Sequence, residues 1–334
     1  MTGVARQRVG VVGVGHLGRH HARILAEAPD VELVSVVDID LARADQVASE
    51  TGARAGVDAL ELLGQVDAVT VAVPTAAHAM VASPFLDAGI PVLVEKPIAA
   101  SLAEADAMIR LASRGGVIFA VGHSERYNPA VTAAMSLVSE PRFVEVHRLA
   151  AFSARGLDVD VVFDVMIHDI DILLAIMKTE LVSIEAVGVP VLTDRIDIAN
   201  ARLHFRDGCI ANLTASRISR DRVRKLRFFQ HHALVTVDCL SQQVEAFRVT
   251  RSPNLEPLIE GGSVSVPDGE PLELELRDFV NAVRIGGVPR VDGVAGRRAL
   301  AVAEEIAAAM LERDGQLRRS DHVTGGAWRH ASDP

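Results

Sequence analysis

The side chains with the most chemical reach in this sequence are one lysine and a short series of acids around a histidine. Lys96 stands between Glu95 and Pro97, at the end of an apolar run. An ammonium placed there can offer a charge or a hydrogen bond to a ligand oxygen, while Pro97 pins the backbone and leaves a cis peptide open. A lone lysine in a loop is equally a solvated one. Asp164, His168 and Asp171 are spaced four and three apart within Val161 to Met177, a segment otherwise largely apolar. In a helix that spacing places all three on one face. An imidazole titrates near neutral pH, so His168 suits general-base work with Asp164 to orient it. The same spacing also suits an ion pair on a solvated face. One histidine and two acids with no further run of ligands make a poor metal site, and no metal is expected.

The element that must position these groups lies near the start of the chain. The apolar run Val9 to Val14 leads into Gly13-Val14-Gly15-His16-Leu17-Gly18, with three glycines at G-x-G-x-x-G spacing. A helical segment follows over Leu17 to Glu27, then a second apolar run, Val31 to Val37, closing on Asp38. A βαβ unit with an acid about twenty residues past the last glycine is the dinucleotide-binding fingerprint. Gly13 permits the turn, Gly15 the approach of backbone to a pyrophosphate, and Gly18 the close packing of helix on sheet. The N–H groups and dipole at the helix start then face the phosphates. Asp38 can accept both ribose hydroxyls of NAD and would repel the extra phosphate of NADP, a preference that Arg43 just beyond softens. A chance glycine cluster is the bland alternative; strand, helix and acid in the right order weigh against it.

Strands and helices then alternate through residue 122. An amphipathic helix over Leu41 to Thr51 precedes a short strand near Ala53 to Gly56 and helix through Leu60 to Leu63. Strands are expected at Val66 to Val73, Pro91 to Glu95 and Val117 to Val121. His78 opens one helix, and Ser101 with Glu104 forms a capping box at the start of another. Such alternation requires a doubly wound parallel sheet that binds its ligand at the carboxyl ends of its strands. Pro74, Thr75, His78, Lys96 and His123 all fall at or near such ends. Past Gly122 the pattern changes to a strand at Arg142 to Ala150, the Val161 to Met177 helix, and six strand-like runs between Val182 and Val249. Pro253 to Asp268 reads as a polar loop. Two helices, Leu272 to Ile285 and Gly296 to Glu312, close the fold, and the tail after Asp321 lacks a core pattern and is expected to be mobile. The fold class is therefore α/β: a Rossmann doubly wound sheet over residues 1–122, then an α+β domain over 123–334 with a large, mainly antiparallel open sheet.

Composition narrows the partners. The 334 residues carry a net charge of -10, which argues against nucleic acid or an anionic membrane surface as the main partner. No stretch has the length of a membrane span, no signal peptide is evident, and Cys209 and Cys239 lack metal or redox spacing, so a reducing, cytoplasmic setting is expected.

Taken together, the glycine turn, Pro74-Thr75 with His78, Glu95-Lys96-Pro97 and the D-x-x-x-H-x-x-D of Asp164, His168 and Asp171 resemble the Gfo/Idh/MocA oxidoreductases. That family is named for glucose–fructose oxidoreductase and inositol dehydrogenase, and the resemblance runs from Val9 to the helix at Gly296. It implies bound NAD in the Rossmann domain and a C-terminal open sheet that joins subunits as a homodimer or homotetramer. By matching position, it implies a catalytic set of Lys96, Asp164 and His168. Gly13, Gly15, His16, Leu17, Gly18, Asp38, Pro74, Thr75, His78, Glu95 and Lys96 would surround the cofactor. The segment Gly122 to Pro129, with Arg148, Arg155 and Asp158 to Asp160, resembles the members that oxidise the C3 hydroxyl of UDP-N-acetylglucosamine. This implies that Arg126, Tyr127, Asn128 and Arg155 join Lys96, His168 and Asp171 around a small-molecule nucleotide-sugar substrate, whose 3-keto product feeds an aminotransferase. Independently, Arg217, Arg220, Arg222, Arg224, Lys225 and Arg227 form a basic cluster usable for a diphosphate, or equally a solvated hairpin or a subunit salt-bridge surface. A free-sugar or inositol dehydrogenase and a non-catalytic NAD(H)-binding regulator are the competing readings. Joint retention of Lys96, Asp164 and His168 weighs against the regulator.

Overall fold

The computed structural model describes residues 6–152, 159–250 and 257–323, the last helix by its backbone alone beyond residue 313. Six parallel strands form the first sheet: β1 (Gln7–Val12), β2 (Val31–Val37), β3 (Arg54–Gly56), β4 (Ala68–Val71), β5 (Val92–Glu95) and β6 (Phe119–Gly122). Their order is β3-β2-β1-β4-β5-β6, so the chain reverses direction between β1 and β4. That reversal opens a crevice at the strands' carboxyl ends. Helices α1 (Gly18–Glu27), α2 (Leu41–Thr51), α3 (His78–Asp87) and α4 (Leu102–Gly115) cover the two faces. Strands β4, β5 and β6 are buried along their whole length, which is why they read as unbroken apolar runs. Ser101 caps α4 by accepting from the Glu104 N–H, and Glu104 reaches back one residue past the cap to the N–H of Ala100.

The second sheet has eight strands: β7 (Pro141–Leu149), β8 (Leu181–Val189), β9 (Ile198–Phe205), β10 (Ile210–Ser216), β11 (Val223–Gln230), β12 (Ala233–Asp238), β13 (Gln243–Thr250) and β14 (Leu258–Val264). They lie in the order β14-β13-β12-β11-β7-β10-β9-β8, antiparallel throughout except where β10 runs parallel to β7. One face packs on α5 (Pro129–Met135), α6 (Ile167–Ile176) and α8 (Gly293–Val323) around a core that includes Val144, Leu213, Phe228 and Ile306. The alternate residues, among them Glu145, Asn212 and Arg227, point away from that core. After β14 the chain returns to the first sheet. Leu276, Phe279 and Val280 of α7 (Pro271–Ile285) join the core of Val9, Val11 and Leu25, and the Val121 N–H donates to Val291 O. No described helix is long and apolar enough to cross a membrane.

Three expectations are corrected. Pro253 to Asp268 is not all loop, because β14 pairs with β13 from Leu258 to Val264. The Gly261-Gly262 pair hides this strand from the pattern, yet a Cβ on Gly261 would stand 2.0 Å from Ala246 O, so a side chain is excluded by the pairing itself. The segment Val161 to Met177 is not one regular helix, since Val162–Met166 forms a π-helical turn before α6 begins. The short helices α5 and Ser124–Tyr127 were absent from the sequence reading. The tail expected to be mobile lies outside the described residues, apart from the end of α8.

Candidate active site

The glycine turn has the geometry of a ligand cradle. Gly13 holds φ +83, where a Cβ would sit 2.7 Å from Ala72 O; a Cβ on Gly18 would strike Gly13 O at 1.8 Å. At Gly15, by contrast, no atom lies within 4 Å of that position, so backbone faces open space. No side chain caps α1, which leaves its first N–H groups directed at that space. His16 is exposed and its ring lies edge-on to His20, with Leu17 beside it at the helix start. Asp38, buried at the end of β2, accepts from the N–H groups of Val14 (2.9 Å) and Asp40 (3.0 Å). Arg43 Nη1 donates to both of its oxygens, at 3.1 and 3.3 Å. These four contacts fill the about four lone-pair sites of a carboxylate, so ribose hydroxyls would be accepted there in place of the half-exposed Arg43 guanidinium. The residues present fit a dinucleotide.

Pro74 and Thr75 follow β4 at the crevice mouth, and Glu95 ends β5 beside them. Glu95 is held by His21 Nε2, which donates to Oε1 at 3.0 Å, and by the Lys96 N–H at 3.1 Å to Oε2. His78 faces Pro97 O and Val73 O at 2.9 Å with its two ring nitrogens. Burial lowers its pKa, so a neutral ring donates to one of these carbonyls at a time. Thus His78, expected beside the cofactor, ties the loop after β4 to the loop after β5.

Lys96, which precedes a cis peptide to Pro97, reaches across to the second domain. Its Nζ donates to Asp164 O at 2.5 Å and to Asp164 Oδ1 at 3.3 Å. His168, half-buried on α6, has its Nδ1 enclosed and without a partner among the described residues. Burial, then the positive charges of Lys96, Arg148, His123 and Arg224, push its pKa well below the usual histidine value. The ring is neutral near physiological pH, as a proton acceptor must be. The expected Asp164–His168 pairing is corrected, because among the described residues no hydrogen bond joins them. Asp164 sits in the π-helical turn, where the extra residue breaks the four-residue register, and its carboxylate goes to Lys96.

Four expected substrate contacts are used elsewhere. Arg126 makes a two-pronged, buried pair with Asp171, Nε to Oδ2 at 2.7 Å and Nη2 to Oδ1 at 2.5 Å. Tyr127 donates to Asp278 Oδ2 at 2.8 Å under the Arg290 guanidinium. Asn128 caps α5 through Ala130 N and donates to Cys239 O. Arg155, with Asp158, lies outside the described residues. The basic cluster is also divided: Arg217 is buried against Asp197, and Lys225 and Arg227 pair with Asp238 and Glu145. Arg224 turns toward the site, donating to Glu125 Oε1 at 2.7 Å. Glu125 also meets Arg148, which is clamped by Asp169 with two contacts of 2.7 Å. This network behind His168, buried except at Arg224, has no signal in spacing, since its members come from four separate elements.

The comparisons with known proteins bear on the same residues. Residues 7–123 match the Gfo/Idh/MocA oxidoreductase family, NAD-binding Rossmann fold, and residues 130–233 match that family's C-terminal domain. A UDP-N-acetylglucosamine 3-dehydrogenase from Acidithiobacillus ferrooxidans is 38% identical over 307 residues, covering 91% of this chain and 97% of that one. The chain belongs to the Gfo/Idh/MocA family. It is accordingly an NAD-binding oxidoreductase. The solved structure of the Acidithiobacillus enzyme covers 92% of this chain and 98% of its own, with TM-score 0.85 at 37% identity. A myo-inositol dehydrogenase from Streptomyces leeuwenhoekii is 31% identical over 63% of this chain and 69% of its own. A levoglucosan dehydrogenase structure, at 17% identity and TM-score 0.82, shares the fold.

Proposed function

We propose that this family member oxidises the C3 hydroxyl of UDP-N-acetylglucosamine to the 3-keto sugar, with NAD as cofactor. The observation that carries the reading is the match over nearly the full length of both chains to a UDP-N-acetylglucosamine 3-dehydrogenase. Bound NAD supplies the hydride acceptor. The glycine turn, the uncapped start of α1 and Asp38 would hold it, with His16, Leu17, Pro74, Thr75 and Glu95 around it. Asp38 favours NAD, and Arg43 blunts its repulsion of a ribose phosphate. Lys96 leaves Asp164 in part to donate to the substrate hydroxyl and stabilise its developing alkoxide, while neutral His168 removes the proton. Asp164 anchors the lysine rather than the base. Free polyols are the second reading, favoured by the inositol dehydrogenase relatives, which match a smaller share of the chain. We further infer a homodimer or homotetramer through the second sheet, a cytoplasmic setting, and an aminotransferase that consumes the ketone.

The test is NADH formation with UDP-N-acetylglucosamine and with myo-inositol, each coupled to a ketone-removing step because alcohol oxidation by NAD is uphill near neutral pH. Turnover with the UDP-sugar alone supports the proposal. Turnover with inositol alone replaces the substrate and keeps the residues' roles. Failure of both, with NAD bound, overturns it.

A further inference from the structure

His123 has no part in the reaction just described, yet its surroundings are the least ordinary in the molecule. It follows β6 directly and precedes the short helix Ser124–Tyr127. Its side chain is fully buried, and neither ring nitrogen has a partner among the described residues. A buried imidazole carries a donor and an acceptor, and leaving both unmatched costs free energy that a phenylalanine there would not. The ring stands edge-on to His168, with centroids 6.1 Å apart and planes at 87°. His168 Nδ1 is enclosed and unmatched too. Two adjacent rings therefore bring three unsatisfied nitrogens together at the inner wall of the site.

The charges around the two rings differ in sign. His168 is faced by Lys96 from the end of β5, Arg148 from β7, Arg224 from β11, and His123 itself, all opposing a positive charge on it. His123 is faced by Arg126 and Lys96, but also by two carboxylates, Asp171 of α6 and Glu95 of β5. Burial lowers the pKa of both rings, but at His123 the carboxylates of Asp171 and Glu95 oppose the shift, whereas the charges facing His168 add to it. Resting on the dehydrogenase reading, we propose that His123 is a positioning residue that stores the substrate's proton by way of His168. As the substrate O–H bond breaks, its proton bonds to His168 Nε2, and the proton on His168 Nδ1 passes to a His123 nitrogen once a ring rotation closes the hydrogen bond that the two adjacent rings do not make at rest. The C–H electron pair leaves as hydride to the nicotinamide. His168 remains neutral throughout, and the charge rests on His123 between Asp171 and Glu95. When the ketone departs, water takes the Nε2 proton while His123 returns its own to Nδ1, which restores both rings.

The test uses two variants and two readouts. His123→Phe keeps the volume and removes both nitrogens; His123→Asn keeps a polar group in a smaller one. Nitrogen-15 NMR of the histidine rings in the cofactor-free protein is followed from pH 4 to 9, and kcat is followed across pH with NAD and UDP-N-acetylglucosamine. In the wild type the two rings are expected to titrate in linked steps. In His123→Phe the His168 step moves to higher pH, because a like-charged neighbour is gone. Turnover of His123→Phe falls at least tenfold, partly recovered in His123→Asn, while NAD affinity stays within twofold. Independent titrations in the wild type, or wild-type turnover in His123→Phe, would overturn the proposal. So would parallel loss of NAD binding and turnover in both variants, which marks a purely structural residue. If the wild type does not turn over this substrate, the dehydrogenase reading fails at that point and the NMR result alone decides the histidine coupling.

Discussion

Lys96 follows β5 of the first sheet and His168 lies on α6 against the second, and their electrostatic relation decides how each can act. Lys96 is one of the charges that hold His168 neutral, so in the proposed reaction the group that would steady an alkoxide also keeps the base ready to take the proton. Lys96→Met and His168→Ala are each expected to lose roughly 10²- to 10⁴-fold in kcat, the usual range for general acid–base groups. NAD binding should survive in both, since neither side chain shapes the glycine turn; cofactor titration beside steady-state kinetics checks this. The sign of the pH dependence follows from the same burial. A base must be unprotonated to act, so activity is present above its pKa and lost as pH falls through it. Because that pKa lies well below 6.5, the acid limb of kcat/KM should lie below pH 6.5 in the wild type. In Lys96→Met, the residual activity should show that limb at higher pH. An acid limb at or above 6.5 in the wild type would assign the base elsewhere. Both residues stand out as candidates in the sequence because each sits at a landmark, a strand end or an apolar helix. The pairing of Lys96 with Asp164 was not legible there, because one π-helical turn shifts Asp164 out of register without changing the spacing of the letters.

The elements around the site depend on buried charges that the sequence presents as candidate ligands. Arg126 leaves the short helix after β6 to clamp Asp171 on α6, joining two segments that wall the crevice. Arg126→Met would strand a buried carboxylate, so a loss of about 3–5 kcal/mol is expected in chemical denaturation. Were these residues substrate contacts instead, the variant would raise KM and leave stability unchanged. On α7, Glu275 is buried with both oxygens unpartnered among the described residues, and burial, then Glu95, Asp171 and Asp278, push its pKa well above 4.5. The folded state therefore holds a proton there that the unfolded chain gives up above that value. Stability falls as pH rises between 4.5 and the raised pKa. Glu275→Gln removes this dependence, and its denaturation midpoint relative to wild type should be higher at pH 8 than at pH 5. An equal difference at both pH values would place the proton elsewhere. Arg, Tyr and Asn in a row, as in Arg126 to Asn128, look alike in sequence whether they meet a ligand or other residues of the chain. Only the return of α7 to the first sheet, more than a hundred residues later, shows that Tyr127 meets Asp278. The parallel sheet was legible because burial on both faces leaves continuous apolar runs, whereas β14 depends on a neighbouring strand and on glycines that erase alternation.

The two sheets meet their surroundings differently. Both faces of the parallel sheet are covered by helices of this chain, while the second sheet has helices on one face only. Its other face is a mixture of paired charges and apolar side chains. Arg227 meets Glu145 at 3.6 Å and Asn200 donates to Thr214 at 2.9 Å. Phe143 packs on Phe229 with ring centroids 5.6 Å apart, and Phe247 and Ile259 stand exposed toward the β14 edge. Aromatic and aliphatic groups among satisfied polar ones are the composition of an interface rather than of a purely solvated surface. Two such faces, related by a two-fold axis, can bury each other's apolar groups while the ladders of paired charges lie between them. A second copy of the chain is therefore the expected occupant. Light scattering after size exclusion should give a dimer or tetramer mass at micromolar concentration. Phe229→Asp, which sets a charge beside Phe143 on the outward side of β11, should shift that mass toward the monomer. NAD should still bind, because the glycine turn lies on the other sheet. A monomer mass for the wild type at every concentration would sink the assignment. An unchanged mass in the variant would move the interface off this face.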